Sequence, residues 1–185
     1  PKFNEKEVLR TFDLLDRYSS NFPKDDALCF KHNGVWKKFS TAEYIEYSHD
    51  FCRGLFELGL RKGDKIITVS SSRPEWNFVD MGMAMTGIVH VPVFTSLNIS
   101  EYQYIIQNSE AKMIIVSDSK LFKCISQACE YTGFSAQVYC FDEVKGIKNW
   151  MEIVEKGRSS SEETRKKIEK EKSAIDQDSF ATLIY

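Results

Sequence analysis

An arginine and a glutamate stand two residues apart in Arg73-Pro74-Glu75-Trp76, directly after the short β-branched run Lys65-Ile66-Ile67-Thr68-Val69. The C-terminal end of a parallel strand is the crevice edge at which α/β sheets bind ligands, so this pair has the chemistry to meet an anion or orient a polar group. A plainer reading is the favoured one: Glu75 favours a helix start by its charge, and Arg73 covers apolar surface with its stem. The hydroxyls of Thr95-Ser96 leave a second strand end and face either a ligand or only a turn. Lys120 and Lys123 begin a helix near a third strand end, where lysines meet phosphates or only solvent.

Other chemistries find little support. The chain has no G-x-x-x-x-G-K-S/T loop, no G-x-G-x-x-G, no H-E-x-x-H and no G-x-S-x-G. His32 falls in an expected turn, His49 on a helix and His90 inside a strand, a spacing that suggests no shared metal site. Five cysteines, Cys29, Cys52, Cys124, Cys129 and Cys140, form no C-x-x-C pair and sit mostly in apolar patterns. They read as buried, reduced thiols of a cytoplasmic protein.

The elements that must position these residues are legible as alternating strands and helices. After Lys65–Val69, Ser70-Ser71-Ser72 reads as a helix cap and Pro74 fits a first turn, because the amide it lacks would have no intrahelical partner. Trp76, Val79, Met83 and Thr86 then share a helical face, Gly87 ends the helix, and Ile88 to Val93 forms the next strand. This is a βαβ unit, almost always right-handed. A polar loop leads to a helix over Glu101 to Ser109. Met113 to Val116 reads as a strand, Ser117-Asp118-Ser119 as a cap, and Leu121, Phe122, Ile125 and Ala128 as a helical face. Val138 to Phe141 is a further strand, followed by a short helix carrying Ile147, Trp150, Met151 and Val154.

Upstream, Val8, Phe12, Leu15 and Tyr18 place an amphipathic helix over Asn4 to Tyr18, stopped by Asn21-Phe22-Pro23. Ala27–Lys31 and Trp36–Phe39 flank His32-Asn33-Gly34, a β-hairpin signal. Ser40-Thr41-Ala42-Glu43 matches a capping box; the helix it opens carries Tyr44, Tyr47, Phe51, Leu55 and Leu58 on one face, with Gly59 as a left-handed cap. The fold class is therefore α/β: a doubly wound, mostly parallel sheet flanked by helices, with an N-terminal β-hairpin.

A net charge of -2, from 25 basic and 27 acidic residues, offers no field for a polyanion, so nucleic acid is not an expected partner. No run approaches the roughly 20 apolar residues of a spanning helix. Between Arg158 and Lys172 the composition turns to Ser, Glu, Lys and Arg, the mark of a solvated helix or mobile linker. The closing run Phe180 to Tyr185 reads as a strand with no turn or partner after it, which points to a fragment boundary. The expected organisation is one α/β unit over 1–157, a charged helix or linker over 158–175 and a strand within 176–185.

Several stretches together resemble the N-terminal region of the adenylate-forming superfamily, and within it the long-chain fatty acyl-CoA synthetases. Gly34-Val35-Trp36 before Phe39 to Tyr44 is similar to the family's G-x-W and T-Y-x-E-Y run. Gly54-Leu55, Leu58-Gly59-Leu60 and Lys62-Gly63-Asp64-Lys65 resemble G-L-x-x-L-G-V-x-x-G-D-x-V. Ser72 to Trp76 resembles N-R-P-E-W, Gly87 to Val93 resembles A-G-A-V-x-V-P-x-Y, and Tyr104 to Lys112 resembles Y-I-L-x-x-S-E-A-K. Asp178 to Tyr185 is similar to D-x-A-T-L-I-Y, the run leading into the family's phosphate loop.

The resemblance covers residues 27 to 185 and implies a role for a larger ligase. ATP and a fatty acid give an acyl-adenylate and pyrophosphate, and coenzyme A then takes the acyl group, with magnesium and backbone amides stabilising the charge in transfer. It carries over no catalytic residue and no metal ligand, so this chain is expected to be an inactive scaffold. It also implies that the loop after the V-P strand lies near the coenzyme A entrance, making Thr95, Ser96, Lys120 and Lys123 the candidates there. Peripheral membrane contact and a homodimer are compatible with the sequence. Two other readings stay open: another adenylating branch, such as an aryl-CoA ligase or adenylation domain, and a free-standing flavodoxin-like binding or dimerisation module.

Overall fold

The computed structural model of the chain describes residues 8–32 and 34–185. Four short apolar runs, β3 (Lys65–Val69), β4 (Val89–Val93), β5 (Met113–Val116) and β6 (Gln137–Cys140), join a two-residue β7 (Lys148–Asn149) in one parallel sheet of order β4-β3-β5-β6-β7. Parallel strands need crossovers, and α3 (Pro74–Thr86), α4 (Ile99–Ser109) and α5 (Ser119–Thr132) supply them. Side chains alternate across the pleat, so the strands divide between two cores. Ile66, Met113, Ile115 and Tyr139 face Phe51, Phe78, Met83 and Trp150. Ile67, Val69, Val91, Ile114 and Val116 face Tyr102, Ile105, Leu121 and Ile125.

The first core is covered by α1 (Asp13–Asn21), α2 (Thr41–Glu57), α3, α6 (Met151–Arg158) and α7 (Glu162–Ser173), the second by α4 and α5. The hairpin of β1 (Leu28–His32) and β2 (Val35–Phe39) is antiparallel and separate from the main sheet, with His32 opposite Val35 and Gly34 at φ +81°. α2 opens with the expected capping box: the Ser40 amide donates to Glu43 at 2.7 Å and the Glu43 amide to the Ser40 hydroxyl at 3.1 Å. Gly59 follows at φ +86°.

Helix α3 departs from the one-faced pattern expected of it. It lies between the sheet and α2, so Phe78, Met81 and Met85 are buried along with Val79 and Met83, while Trp76 is only half-buried. Close approach makes this possible. A Cβ at Gly82 would meet the Phe51 ring at 2.8 Å; one at Gly54 would lie 1.9 Å from the Ile153 carbonyl oxygen, and one at Gly157 1.8 Å from that of Asp50. Glycines thus let α2 touch α3 and α6 backbone to backbone.

Several local expectations are corrected. The N-terminal helix begins at Asp13 rather than Asn4, because the Asp13 carboxylate accepts the amides of Leu9 and Arg10 and holds that segment as a turn; Asn4 to Glu7 lie outside the described residues. Ser70-Ser71-Ser72 does not cap α3, whose N-cap is Arg73 with no side-chain cap bond, although Pro74 takes the first turn as expected. α4 starts at Ile99, two residues early, because Asn98 and Glu101 form a second capping box. Of the helix or linker expected after Arg158 the chain forms the helix, α7, which is not wholly solvated but docks through Ile168 and is followed by the buried Ile175. Phe180–Tyr185 forms no full strand: a single parallel bridge joins Thr182 to His90, with His90 accepting from Leu183 and donating to Ala181, both at 2.9 Å.

Truncating Phe51, which is fully buried, to alanine is expected to cost about 3–5 kcal/mol in urea melts. Gly54→Ala forces α2 from α6 and should cost about 1–3 kcal/mol or more. Trp76→Ala should cost clearly less than Phe51→Ala, since Trp76 is only half-buried.

Candidate functional site at the C-terminal edge of the sheet

All five strands of the main sheet point the same way, so the loops after β3, β4, β5 and β6 share one edge. From β3 the chain crosses to β4 on one side, and from β5 to β6 on the other. The gap between β3 and β5 is therefore the switch point at which such sheets bind ligands.

Arg73 fills that gap. Its guanidinium makes two bonds to Glu75, Nε to Oε2 at 2.9 Å and Nη2 to Oε1 at 3.0 Å. Nη1 donates to Asp142 Oδ1 at 2.9 Å, beyond the end of β6, and to the Ser117 carbonyl at 3.1 Å, beyond the end of β5. The Arg73 side chain is 9% exposed and that of Glu75 15%. The cation also lies 5.1 Å from the centre of the Phe141 ring. Burial opposes its charge, but the bonds to Glu75 and then Asp142 outweigh that and hold the guanidinium above its ordinary value. Arg73 is thus a brace across three strand ends, neither a free anion receptor nor a mere cover for apolar surface.

A second network sits behind it. His90 Nδ1 lies 2.6 Å from Asp80 Oδ1 and Nε2 lies 2.7 Å from Thr68 Oγ1, with the Trp76 ring 5.0 Å away. Since a carboxylate only accepts, Nδ1 carries a proton; with the ring neutral, the Thr68 hydroxyl donates to Nε2. The order hydroxyl, imidazole, carboxylate is that of a nucleophilic triad. Thr68 is 1% exposed, however, so the hydroxyl is a satisfied core group out of reach of a substrate. Sequence spacing placed His90 in a strand with a structural role; its partners come from β3 and α3 and share no local motif.

The two pairs named from sequence lie on this edge without meeting. Thr95 and Ser96 are exposed in the turn after the edge strand β4; Lys120 and Lys123 are exposed on the first turns of α5, after β5. Asp118 caps α5, accepting the amides of Lys120 at 2.9 Å and Leu121 at 3.0 Å and the Ser117 hydroxyl at 2.8 Å. Burial works against its charge, yet the Leu121 amide, the Ser117 hydroxyl and the Lys120 amide hold its carboxyl below the ordinary value.

Beside the Thr95-Ser96 turn runs a groove of about 410 Å³ that sequence reasoning missed, walled by Val93, Phe94, Leu97, Tyr104, Ile105 and Tyr185 with Ser100 and Glu101 at its polar side. Tyr185 is held there by a 2.7 Å bond from its hydroxyl to Asn108 and an edge contact with Tyr104. A second hollow, about 370 Å³, is lined by Ser70, Ser71, Ser72, Arg73, Trp76 and Asn77.

Thiol chemistry is disfavoured at the buried cysteines: burial pushes Cys52 up to about 12 and Cys129 up to about 11. Cys29 is exposed, against the expectation of burial. Among the described residues no three His, Cys, Asp or Glu side chains cluster as a metal site.

Comparison with known proteins finds one family over most of the chain. The AMP-binding enzyme family matches residues 15–185. A fatty acyl-CoA synthetase A of Dictyostelium discoideum is 27% identical over 133 residues, which are 68% of this chain and 20% of that protein. A long-chain-fatty-acid-CoA ligase of Rattus norvegicus is 23% identical over 157 residues, 82% of this chain and 21% of that protein. The chain thus spans 20% and 21% of the length of these curated relatives. Among solved structures, an anthranilate CoA ligase in complex with anthranoyl-AMP superposes with a TM-score of 0.68 at 17% identity, over 79% of this chain and 28% of that one. This last likeness shows a shared fold.

Arg73→Met leaves two carboxylates without their partner and is expected to cost about 3 kcal/mol of stability. Asp142→Asn, at a carboxylate 41% exposed, should cost no more than about 1 kcal/mol. Asp118→Ala should cost about 1 kcal/mol at pH 7. Because the folded state depresses this carboxyl, that difference is present above the carboxylate range and vanishes as pH falls through it, which urea melts at neutral and acid pH can measure.

Proposed function

Since this chain belongs to the AMP-binding enzyme family, we propose that it is the N-terminal part of a long-chain fatty acid-CoA ligase, a cytoplasmic enzyme peripheral to membranes. The observation that carries this reading is the family match over residues 15–185, joined to relatives named for fatty acids. The complete enzyme would join a fatty acid to AMP from ATP, releasing pyrophosphate, and pass the acyl group to the thiol of coenzyme A. Magnesium would supply charge neutralisation of the phosphates. A carboxylate is activated this way because AMP leaves from an acyl carbon far more readily than hydroxide.

Within that enzyme the described residues act as scaffold. The Arg73 brace and the His90 network tie up the buried side chains of Arg73, Glu75, His90 and Thr68 in bonds to one another and to Asp142 and Asp80. What they do offer is a rigid edge from which Thr95 and Ser96 project beside an apolar groove, and Lys120 and Lys123 from a helix N-terminus. Cations on the first turns of a helix suit the phosphates of coenzyme A, and the turn and groove suit its extended arm. In this reading the α/β unit runs to residue 157, the charged helix within 158–175 docks against it through Ile168, and 176–185 would be the approach to the phosphate loop.

The anthranilate ligase likeness favours a second reading, an aryl-CoA ligase, because the same fold serves both substrate classes. ATP-pyrophosphate exchange by the complete protein separates the two. Exchange that rises with acyl length supports the fatty acid reading; exchange with benzoate or anthranilate alone replaces it, and no exchange with any carboxylate defeats both. In the complete enzyme, Lys120→Ala with Lys123→Ala is expected to raise the KM for coenzyme A about tenfold while leaving the exchange reaction unchanged. The 185-residue chain alone is expected to release no pyrophosphate.

A further inference from the structure

We propose that a cavity enclosed by α1, the base of the β1–β2 hairpin, α2 and α3 is a binding site for a small amphipathic carboxylate, apart from the turn, groove and lysines assigned above to coenzyme A. The cavity measures about 490 Å³, a size that suits a small organic molecule. Phe22, Leu28 and Met81 supply apolar wall, and Lys24, Thr41, Tyr44 and Asn77 bring polar groups to it. Such a mixture of wall and head group is what a ligand with a hydrocarbon body and a polar end requires.

Tyr44 is the residue that points to a ligand. It is 7% exposed, lines the cavity, and its hydroxyl has no hydrogen-bond partner among the described residues. Buried hydroxyls are as a rule paired, and the other two buried tyrosines obey that rule. Tyr102 donates to the Phe94 carbonyl at 3.0 Å and Tyr139 to the Gln137 side chain. Burial, and then the charge of Asp80 and the Tyr18 phenol, push the Tyr44 hydroxyl above its ordinary value, so it stays protonated and able to donate. Asp80 itself is held by His90 and does not line the cavity.

The neighbouring polar groups are donors too. Thr41, which is 4% exposed, accepts the Lys24 amide at 3.0 Å, while its own amide donates to the Lys24 carbonyl at 2.8 Å. The threonine hydroxyl keeps its proton to give. Those two bonds fix the backbone of Lys24 at the rim, and among the described residues its ammonium enters no ion pair. Phenol, hydroxyl and ammonium together match an acceptor-only head, which is an ionised carboxylate. A cationic head would meet the lysine as a like charge, and an alcohol would leave the ammonium unpaired. Phe22, 49% exposed beside Lys24, is an apolar surface that the body of such a ligand would cover.

The test is isothermal titration calorimetry of the 185-residue chain at neutral pH with decanoate, decanol and decyltrimethylammonium, each below its micelle concentration. The expected result is saturable binding of one decanoate per chain, with the other two on the order of tenfold weaker or more. Tyr44→Phe should weaken decanoate about tenfold without lowering the midpoint of the urea melt, because the hydroxyl it removes has no partner in the protein. Lys24→Met should weaken it by a similar factor of about ten, and Lys24→Arg should retain it. Ala27→Trp, at the cavity wall, should abolish binding; if that variant does not fold, Tyr44→Phe decides. Tyr104→Ala, in the groove beside the Thr95-Ser96 turn, should bind as the parent does. The proposal is overturned if decanoate shows no saturable binding, if decanol or the ammonium binds equally well, or if Tyr44→Phe binds like the parent. It is also overturned if Tyr44→Phe destabilises the chain, which would make the hydroxyl structural, or if Tyr104→Ala abolishes binding, which would move the site to the groove. None of these outcomes depends on the ligase reading, which pyrophosphate exchange tests separately.

Discussion

Strand β3 is hydrogen-bonded on both sides and buried on both faces, and this constraint shapes the rest of the molecule. A central parallel strand cannot be satisfied locally. Its neighbours β4 and β5 must each return over a helix, and its two faces must each find a cover. The covers are unequal. One face takes the two helices α4 and α5, while the other takes a deeper layer in which α3 lies under α2, with α1, α6 and α7 around them. That depth is why α3 is apolar on nearly every side.

The deep layer depends on backbone approach more than on side-chain volume. Gly54 and Gly157 meet across the α2–α6 contact, and Gly82 makes room for Phe51. Packing this tight transmits strain, so a single added methyl would have to move a helix. The same rigidity benefits the edge at which the strands end. Arg73 ties the ends of β3, β5 and β6 into one unit, and His90 ties β4 to α3 while its backbone holds residues 181–183. Polar groups are abundant at this edge, but the buried ones satisfy one another. Exposed chemistry is left to the turn after β4 and the first turns of α5, with an apolar groove beside the turn.

What the sequence by itself determined is whatever local physics encodes. The β-branched runs marked the four main strands, the Ser40 to Glu43 capping box and the Asn-Gly turn marked their elements, and Gly59 and Gly87 marked helix ends through a left-handed backbone. The Asn98 to Glu101 box was equally local, but Asn serves there in place of Ser or Thr. The candidate residues Thr95, Ser96, Lys120 and Lys123 were found because they follow strands, and that order is visible in the chain. Only the tertiary structure decided which side chains meet. Arg73 and Asp142 are 69 residues apart, His90 meets Thr68 and Asp80 from two other elements, and Gly54 faces Ile153. Contacts of that kind arise from the packing of whole elements, so no spacing along the chain announces them. The same reasoning explains the two ends: the turn before Asp13 and the single bridge at Thr182 are set by which partners reach them, whereas the periodic pattern of apolar residues records only what each segment would prefer alone.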